Sequence, residues 1–304
     1  MQGLNAVPGN ALLSVYSRRP ETVQAFVKQY GGAACDSVEQ LLDSGINAVY
    51  IATLPDSHAQ YSIAALNAGK HVLCEKPASV NLTSLQSIIK TAQNRKLLFM
   101  EGMKPPFFPL YRRLKEHLLN DPIGQVGYVR AGSSVADISK DHPNFSYDLI
   151  GGSLMQIGVY EAFLAIDWLG GLKNVQALGR FGETGIDMFS IFQSEHEYGY
   201  AQLYCGLDLH GKGDALICGT IGNITIHKNW WNPAKATIKY LDGRVVELDE
   251  PYEAGGLNYE IEHFCGLIKA GLTESPVITY NLSEQMITML DRARENIGLK
   301  FKGE

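Results

Sequence analysis

The sequence predicts an α/β + α+β chain, in which an N-terminal parallel sheet wrapped by helices precedes a second part built on a large, mostly antiparallel, open-faced sheet. Three observations predict it. Over the first third, short apolar runs alternate with helical patterns, which is how successive βα units read. From about residue 123, strand-like runs follow one another with few helices between them. The length of 304 residues also exceeds what one core usually organises. The expected division falls between 1–122, which holds the parallel sheet, and 123–304, which holds the antiparallel one.

ALLSVY (11–16) is strand-like, and PETVQAFVKQYG (20–31) then opens on Pro20 at a first helical position and closes on Gly31. Ser37 and Gln40 have capping-box spacing ahead of VEQLLDSG, after which AVYIAT (48–53) is a buried-strand run. SHAQYSIAALNAG (57–69) is a helix ended by Asn67 and Gly69 that delivers the chain into HVLCEKP (71–77). LTSLQSIIKTAQN (82–94) is again helical and LLFM (97–100) is a strand, which completes a doubly wound pattern. Beyond it, GQVGYVRAGSSV, VQALGRF, DMFSIFQS, GYAQLYCGL, DALICGTIGNITIH and ATIKYLDGRVVEL are strand runs. One helix interrupts them at 153–170, and NYEIEHFCGLIKAG and LSEQMITMLDRAREN close the chain.

A Rossmann-type parallel sheet begins with a strand and a glycine-rich turn, yet nothing resembling GxGxxG precedes ALLSVY. GLNAVPG reads as the tail of the first helix. Because the first strand lies centrally in the order 3-2-1-4-5-6, its loss would split the sheet. Roughly 20–25 further N-terminal residues are therefore expected in the natural protein, within the ~30-residue first βαβ unit.

Composition narrows the function classes. Hydrophobic residues at 45% and charged residues at 19% are the ordinary globular balance. A formal net charge of −6 gives no overall field for nucleic acid or an acidic membrane surface, and neither partner is expected. Five cysteines, odd in number and never spaced as CxxC, indicate neither a disulfide framework nor zinc, so a reducing cytoplasm is the expected location. No apolar run reaches the ~18 residues of a membrane span, and no metal motif is present.

Lys76 stands at the carboxyl end of a predicted parallel strand, where open α/β sheets bind their ligands, and a buried ammonium there can hold or relay a proton. The bare residues also allow an exposed lysine paired with Glu75. Tyr160 lies four residues after Gln156 on the predicted helix, so the two share a face, although Tyr160 also suits an amphipathic core. Ser17, Arg18 and Arg19 follow the ALLSVY strand, where guanidinium groups suit a 2′-phosphate or simply form a solvated basic turn. The phosphate reading makes NADP(H) the expected cofactor over NAD(H).

AVYIATLPDSHAQYSIAALNAGKHVLCEKPASVN (48–81) resembles the second half of the nucleotide-binding domain in the glucose–fructose oxidoreductase / inositol dehydrogenase (Gfo/Idh/MocA) family. The likeness continues through MEGMKPPFFPLYRRLKEHL, GGSLMQIGVYEAFLA, GTIGNITI and NYEIEHFCGLIKAG, and so spans the chain apart from its missing beginning. An EKP after AGKHVLC, an ATxP upstream and a GGxLxxIGVY downstream make the match specific. The resemblance implies that Lys76 meets both the nicotinamide ribose and the substrate hydroxyl, with Glu75 near the cofactor and Pro77 fixing the turn. It also implies that Thr53, Leu54, Pro55 and His58 lie along the cofactor, although His58 also suits a satisfied helix-start histidine. The family has an acid where Gln156 stands, so Lys76 and Tyr160 are expected to transfer the proton and Gln156 to position the substrate. It commonly has an arginine and a histidine where Pro106 and Phe108 stand, which leaves Lys104 as the charged substrate residue beside a more apolar wall.

The implied activity is hydride transfer between a nicotinamide and a carbinol or carbonyl carbon of a sugar, polyol or small diol. Two alternatives are a non-catalytic NADP-binding sensor and an NAD-dependent glycosidase-type relative. The open sheet, with few helices to cover it, implies a homodimer or higher homo-oligomer.

Overall fold

The computed structural model describes residues 1–9 and 11–302. The parallel strands are β1 (Ser14–Val15), β2 (Ala33–Ala34), β3 (Ala48–Ile51), β4 (His71–Glu75) and β5 (Phe99–Gly102). Helices α1 (Gln2–Asn5), α2 (Pro20–Tyr30), α3 (Val38–Leu42), α4 (Pro55–Asn67) and α5 (Leu82–Arg95) alternate with them. The strands form two separate sheets, β1–β2 and β3–β4–β5, which is the split expected of this topology without its central strand. Among the contacts across the break, Arg18 lies 3.6 Å from Asp56, and the Tyr16 and Tyr61 rings meet edge-on with centroids 6.5 Å apart.

Local sequence explains the helix starts. Pro20 and Pro55 occupy first-turn positions of α2 and α4. The Gln40 N–H donates to Ser37 Oγ at 3.1 Å, while Gln40 Oε1 accepts from the Asp36 N–H, one residue earlier than a reciprocal capping box requires. Val72, Leu73 and Cys74 of β4 are all at most 2% exposed, because helices cover both faces of a parallel sheet. Strand β1 is shorter than the ALLSVY run, and PLYRRLKEHLLN, read above only within a motif, forms α6 (Pro109–Asn120) with Leu110, Tyr111 and Leu114 buried.

The second part is an eight-stranded sheet of β6 (Val126–Ser134), β7 (Leu172–Phe181), β8 (Asp187–His196), β9 (Tyr200–Gly206), β10 (Ala215–Gly219), β11 (Gly222–Ile226), β12 (Lys235–Tyr240) and β13 (Val245–Asp249). The order is β13-β12-β11-β10-β6-β9-β8-β7, and only β6 and β9 pair in parallel. Helix α7 (Val159–Leu169), entered through a π turn at Leu154–Gly158, packs against β6 and β9, and also against α9 (Tyr280–Ile297), which lies along β7. Helix α8 (Leu257–Lys269) packs on α1. The other face stays open, with Leu178 72%, Ile191 47% and Tyr200 64% exposed.

The helical run Tyr147–Leu169, with 23 residues and mean hydropathy 1.5, is long and apolar enough to cross a membrane by composition, yet 83% of its apolar window is buried inside the protein. It is the central helix of this fold.

Candidate active site

The EKP turn is held at three points. Strand β4 ends at Glu75, and the Lys76–Pro77 peptide that follows is cis. The Pro77 carbonyl lies 2.8 Å from His58 Nδ1, while His58 Nε2 lies 2.9 Å from the Thr53 carbonyl. The Ala78 N–H donates to Glu101 Oε1 at 2.9 Å, so a buried acid on β5 fixes the exit. His58 is thus a 1%-exposed strut between the β3 and β4 loops with both ring nitrogens engaged.

The Lys76 amine leaves the turn toward the second part of the fold. It donates to the Gln156 carbonyl at 2.7 Å and lies 4.7 Å from the Tyr160 ring centroid, over its face. From 151 to 166, only Gln156 and Tyr160 escape full burial, so they share the accessible face that their spacing predicts. The contact with Lys76 is nevertheless made by the Gln156 main chain. Its side-chain amide turns away and donates to the Ile150 carbonyl at 3.0 Å. That side chain is thus engaged within the turn itself.

Electrostatics separate the two candidate proton carriers. Burial pushes the Lys76 amine down from 10.5 to about 8, a shift that Glu75 opposes and Lys104 reinforces. Burial together with Glu75, Glu260 and Glu161 holds the Tyr160 phenol well above its usual value. Tyr160 can donate a hydrogen bond but keeps its proton, so of these two Lys76 is the one able to change charge near neutral pH.

Several acids around this pair escaped sequence reasoning. Glu161, fully buried on α7, accepts from the Ser133 hydroxyl, and burial pushes its carboxyl up to about 8. Glu260 on α8 is fully buried, and neither carboxylate oxygen has a hydrogen-bond partner. Burial and Glu75 raise its carboxyl well above the usual range, against the pull of Lys104. Burial in turn lowers the Lys104 amine, which Glu260 and Glu75 raise. Glu75 accepts from the Tyr50 hydroxyl across β3 and β4. The available signal was a lone acid inside an apolar run, as in GVYEAFLAI and LLFMEGM.

The other expected residues divide clearly. Thr53 is exposed at the end of β3, Leu54 is half-buried and Pro55 is buried at the start of α4. At the end of β1, Arg18 and Arg19 are exposed, and Ser17 Oγ accepts from the Arg19 N–H at 3.3 Å. Pro106 and Phe108, expected to line a substrate wall, are buried instead. Phe108 is 0% exposed and packs edge-on against Tyr252 with centroids 4.8 Å apart. Trp230 likewise fills the core, and His227 bonds Thr237 at 2.8 Å.

A model of an oxidoreductase family with an NAD-binding Rossmann fold (GFO_IDH_MocA) matches residues 2–103. The NADP(+) enzyme scyllo-inositol 2-dehydrogenase IolU of Bacillus subtilis (strain 168) is 31% identical over 305 residues, covering 96% of this chain and 91% of the relative. The chain belongs to the Gfo/Idh/MocA family. Another relative of this Gfo/Idh/MocA protein is trans-1,2-dihydrobenzene-1,2-diol dehydrogenase of Sus scrofa, 30% identical over 289 residues, covering 90% of this chain and 83% of that one. In fold it is like KijD10, a 3-ketoreductase from Actinomadura kijaniata solved with NADP and TDP-benzene, with TM-score 0.87, 23% identity and coverage of 97% and 92%. As a Gfo/Idh/MocA member the chain is an NAD(P)-dependent oxidoreductase acting on CH–OH groups.

Proposed function

We propose that this protein moves a hydride between NADP(H) and the carbinol or carbonyl carbon of a polyol, sugar or small diol, with Lys76 carrying the hydroxyl proton. The observation that carries this reading is a lysine amine at the carboxyl end of β4, brought down to about 8 and held between the Gln156 carbonyl and the Tyr160 ring. The relatives' named substrates, an inositol and a dihydrodiol, have secondary alcohols in common.

The residues present fit a dinucleotide phosphate. Two exposed guanidiniums and Ser17 stand at the end of β1, matching a 2′-phosphate, and the exposed Thr53 and the Lys76 turn mark the ends of β3 and β4. Residues 1–122 hold the cofactor in this reading, and residues 123–304 supply the substrate side. When bound, the nicotinamide takes up or gives the hydride. During alcohol oxidation neutral Lys76 accepts the hydroxyl proton, and during carbonyl reduction its ammonium returns it. The Tyr160 hydroxyl, which stays protonated, donates to the same substrate oxygen. Lys104 offers a second cation for a neighbouring hydroxyl.

The test is turnover across polyols, sugars and diols with NADP+ and NAD+ over a pH series. NADP+ should be preferred, and oxidation should rise with pH to a plateau through an apparent pKa near 8, with reduction falling over the same window. Cofactor binding without turnover anywhere in the panel would sink the reading.

A second copy of the chain covers the open sheet face. Leu178, Ile191 and Tyr204 lie in cross-strand register there, since Leu178 pairs with Ile191 and Ile191 with Tyr204. Light scattering should give a dimer or larger assembly, and Ile191→Lys should shift it toward monomer. A monomeric parent protein would end this assignment. The buried thiols of Cys35, Cys74 and Cys205 suit a reducing compartment such as the cytoplasm.

A further inference from the structure

Lys76 is held in place by an element whose own geometry needs explaining. The Gln156 carbonyl that accepts from its amine belongs to the π turn Leu154–Gly158. Such turns are rare and occur mostly as single insertions in α-helices. This one is closed from both directions.

Downstream, its first residues are bonded to one carboxylate on the sheet. Asp187, 0% exposed at the start of β8, accepts through Oδ2 from Ser153 Oγ at 2.6 Å, from the Leu154 N–H at 2.8 Å and from Ser190 Oγ at 2.9 Å. Only glycine permits the approach, because a Cβ at Gly152, where φ is +111°, would collide with Asp187 Oδ1. Upstream, Ile150 adopts φ 59°, a left-handed conformation that is strained for a β-branched residue and persists only when its surroundings fix it. The fixing bonds are the Gln156 amide on the Ile150 carbonyl, the Gly151 N–H on Ser146 O and the Gly152 N–H on Asn144 O.

We propose that Asp187 is a positioning residue for Lys76. By capping the turn at Ser153 and Leu154 it holds the Gln156 carbonyl at the place where the lysine amine meets it. Without the cap, the turn relaxes toward an ordinary i→i+4 helix and the carbonyl moves off the amine. The inference rests on the reading of Lys76 as the proton carrier only for its kinetic consequence; the geometric consequence stands apart from it.

The experiment uses the full chain as parent, Asp187→Leu, Asp187→Asn and Ser153→Ala, each also combined with Lys76→Met. Reductive methylation of Lys76, followed by peptide mass spectrometry against surface lysines, reads the amine directly. Asp187→Leu should speed it several-fold and Ser153→Ala less, while Asp187→Asn, whose amide oxygen still accepts, should stay near the parent. In turnover of scyllo-inositol with NADP+, Asp187→Leu should lower kcat ~10–10²-fold, the scale of a displaced catalytic group, with the NADP+ Kd within a few-fold. On the Lys76→Met background it should have little further effect. Unchanged labelling in folded Asp187→Leu overturns the inference, as does an equal kcat loss with and without Lys76, which marks general loosening. If Asp187→Leu does not fold, Ser153→Ala decides by the same labelling. Should Lys76→Met keep full turnover, the proposed reaction fails while the labelling still judges the role of Asp187.

Discussion

Replacing Lys76 by Met should lower kcat at least ~10²-fold, the usual contribution of a positioned acid–base group, while NADP+ binding changes little. Methionine keeps the length and the apolar stem of lysine and packs on the Tyr160 ring, so the change removes the amine with little else. Its two nearest side-chain neighbours offer no substitute. Tyr160 holds its proton too firmly to act as a base, and Gln156 has an amide that cannot accept one as a carboxylate does. Measured by steady-state kinetics beside cofactor titration, the loss should appear in kcat. Turnover equal to the parent would remove Lys76 from the reaction.

The second large effect concerns stability. Glu161 has its carboxyl raised from 4.5 to about 8 in the folded protein, chiefly by burial, and it is 0% exposed. Below about pH 4.5 the group is neutral in both states. As pH rises toward 8, the unfolded chain ionises it freely while the folded protein resists, so folded stability falls across that window. The expected loss is roughly 3–5 kcal/mol from this group alone. Glu161→Gln, which cannot ionise, should flatten the decline, and urea unfolding at pH 5 and pH 8 measures it. An equally steep decline in the variant would show that Glu161 does not carry it.

Much of the fold is legible because its signals are local. Apolar runs bounded by Gly, Pro and Asn mark β3, β4 and α4, and the alternating runs after residue 123 mark the open sheet. The separation of β1–β2 from β3–β4–β5 fits the absence of any glycine-rich turn ahead of ALLSVY. The site is legible only in part. Lys76 and Tyr160 stand in recognisable surroundings, but the exchange at Gln156, main chain toward Lys76 and side chain toward Ile150, depends on a π turn that no spacing rule encodes. Pro106 and Phe108 read as part of a substrate wall because the resembling family has an arginine and a histidine at their places; the packing of Phe108 on Tyr252 takes that side chain into the core. Glu260 and Glu161 were hidden because an acid in an apolar helix looks like a break in the pattern until its burial is seen.

The Lys76 amine rests on a main-chain oxygen, and that has a consequence for how such a site tolerates change over time. A partner made of backbone cannot be deleted by substitution at its own position. Whatever side chain stands at 156, a carbonyl is present there, and the lysine keeps its acceptor as long as the turn keeps its path. A substitution at 156 therefore reaches the lysine only through the path of the turn, which the Gln156 amide helps to hold at the Ile150 carbonyl.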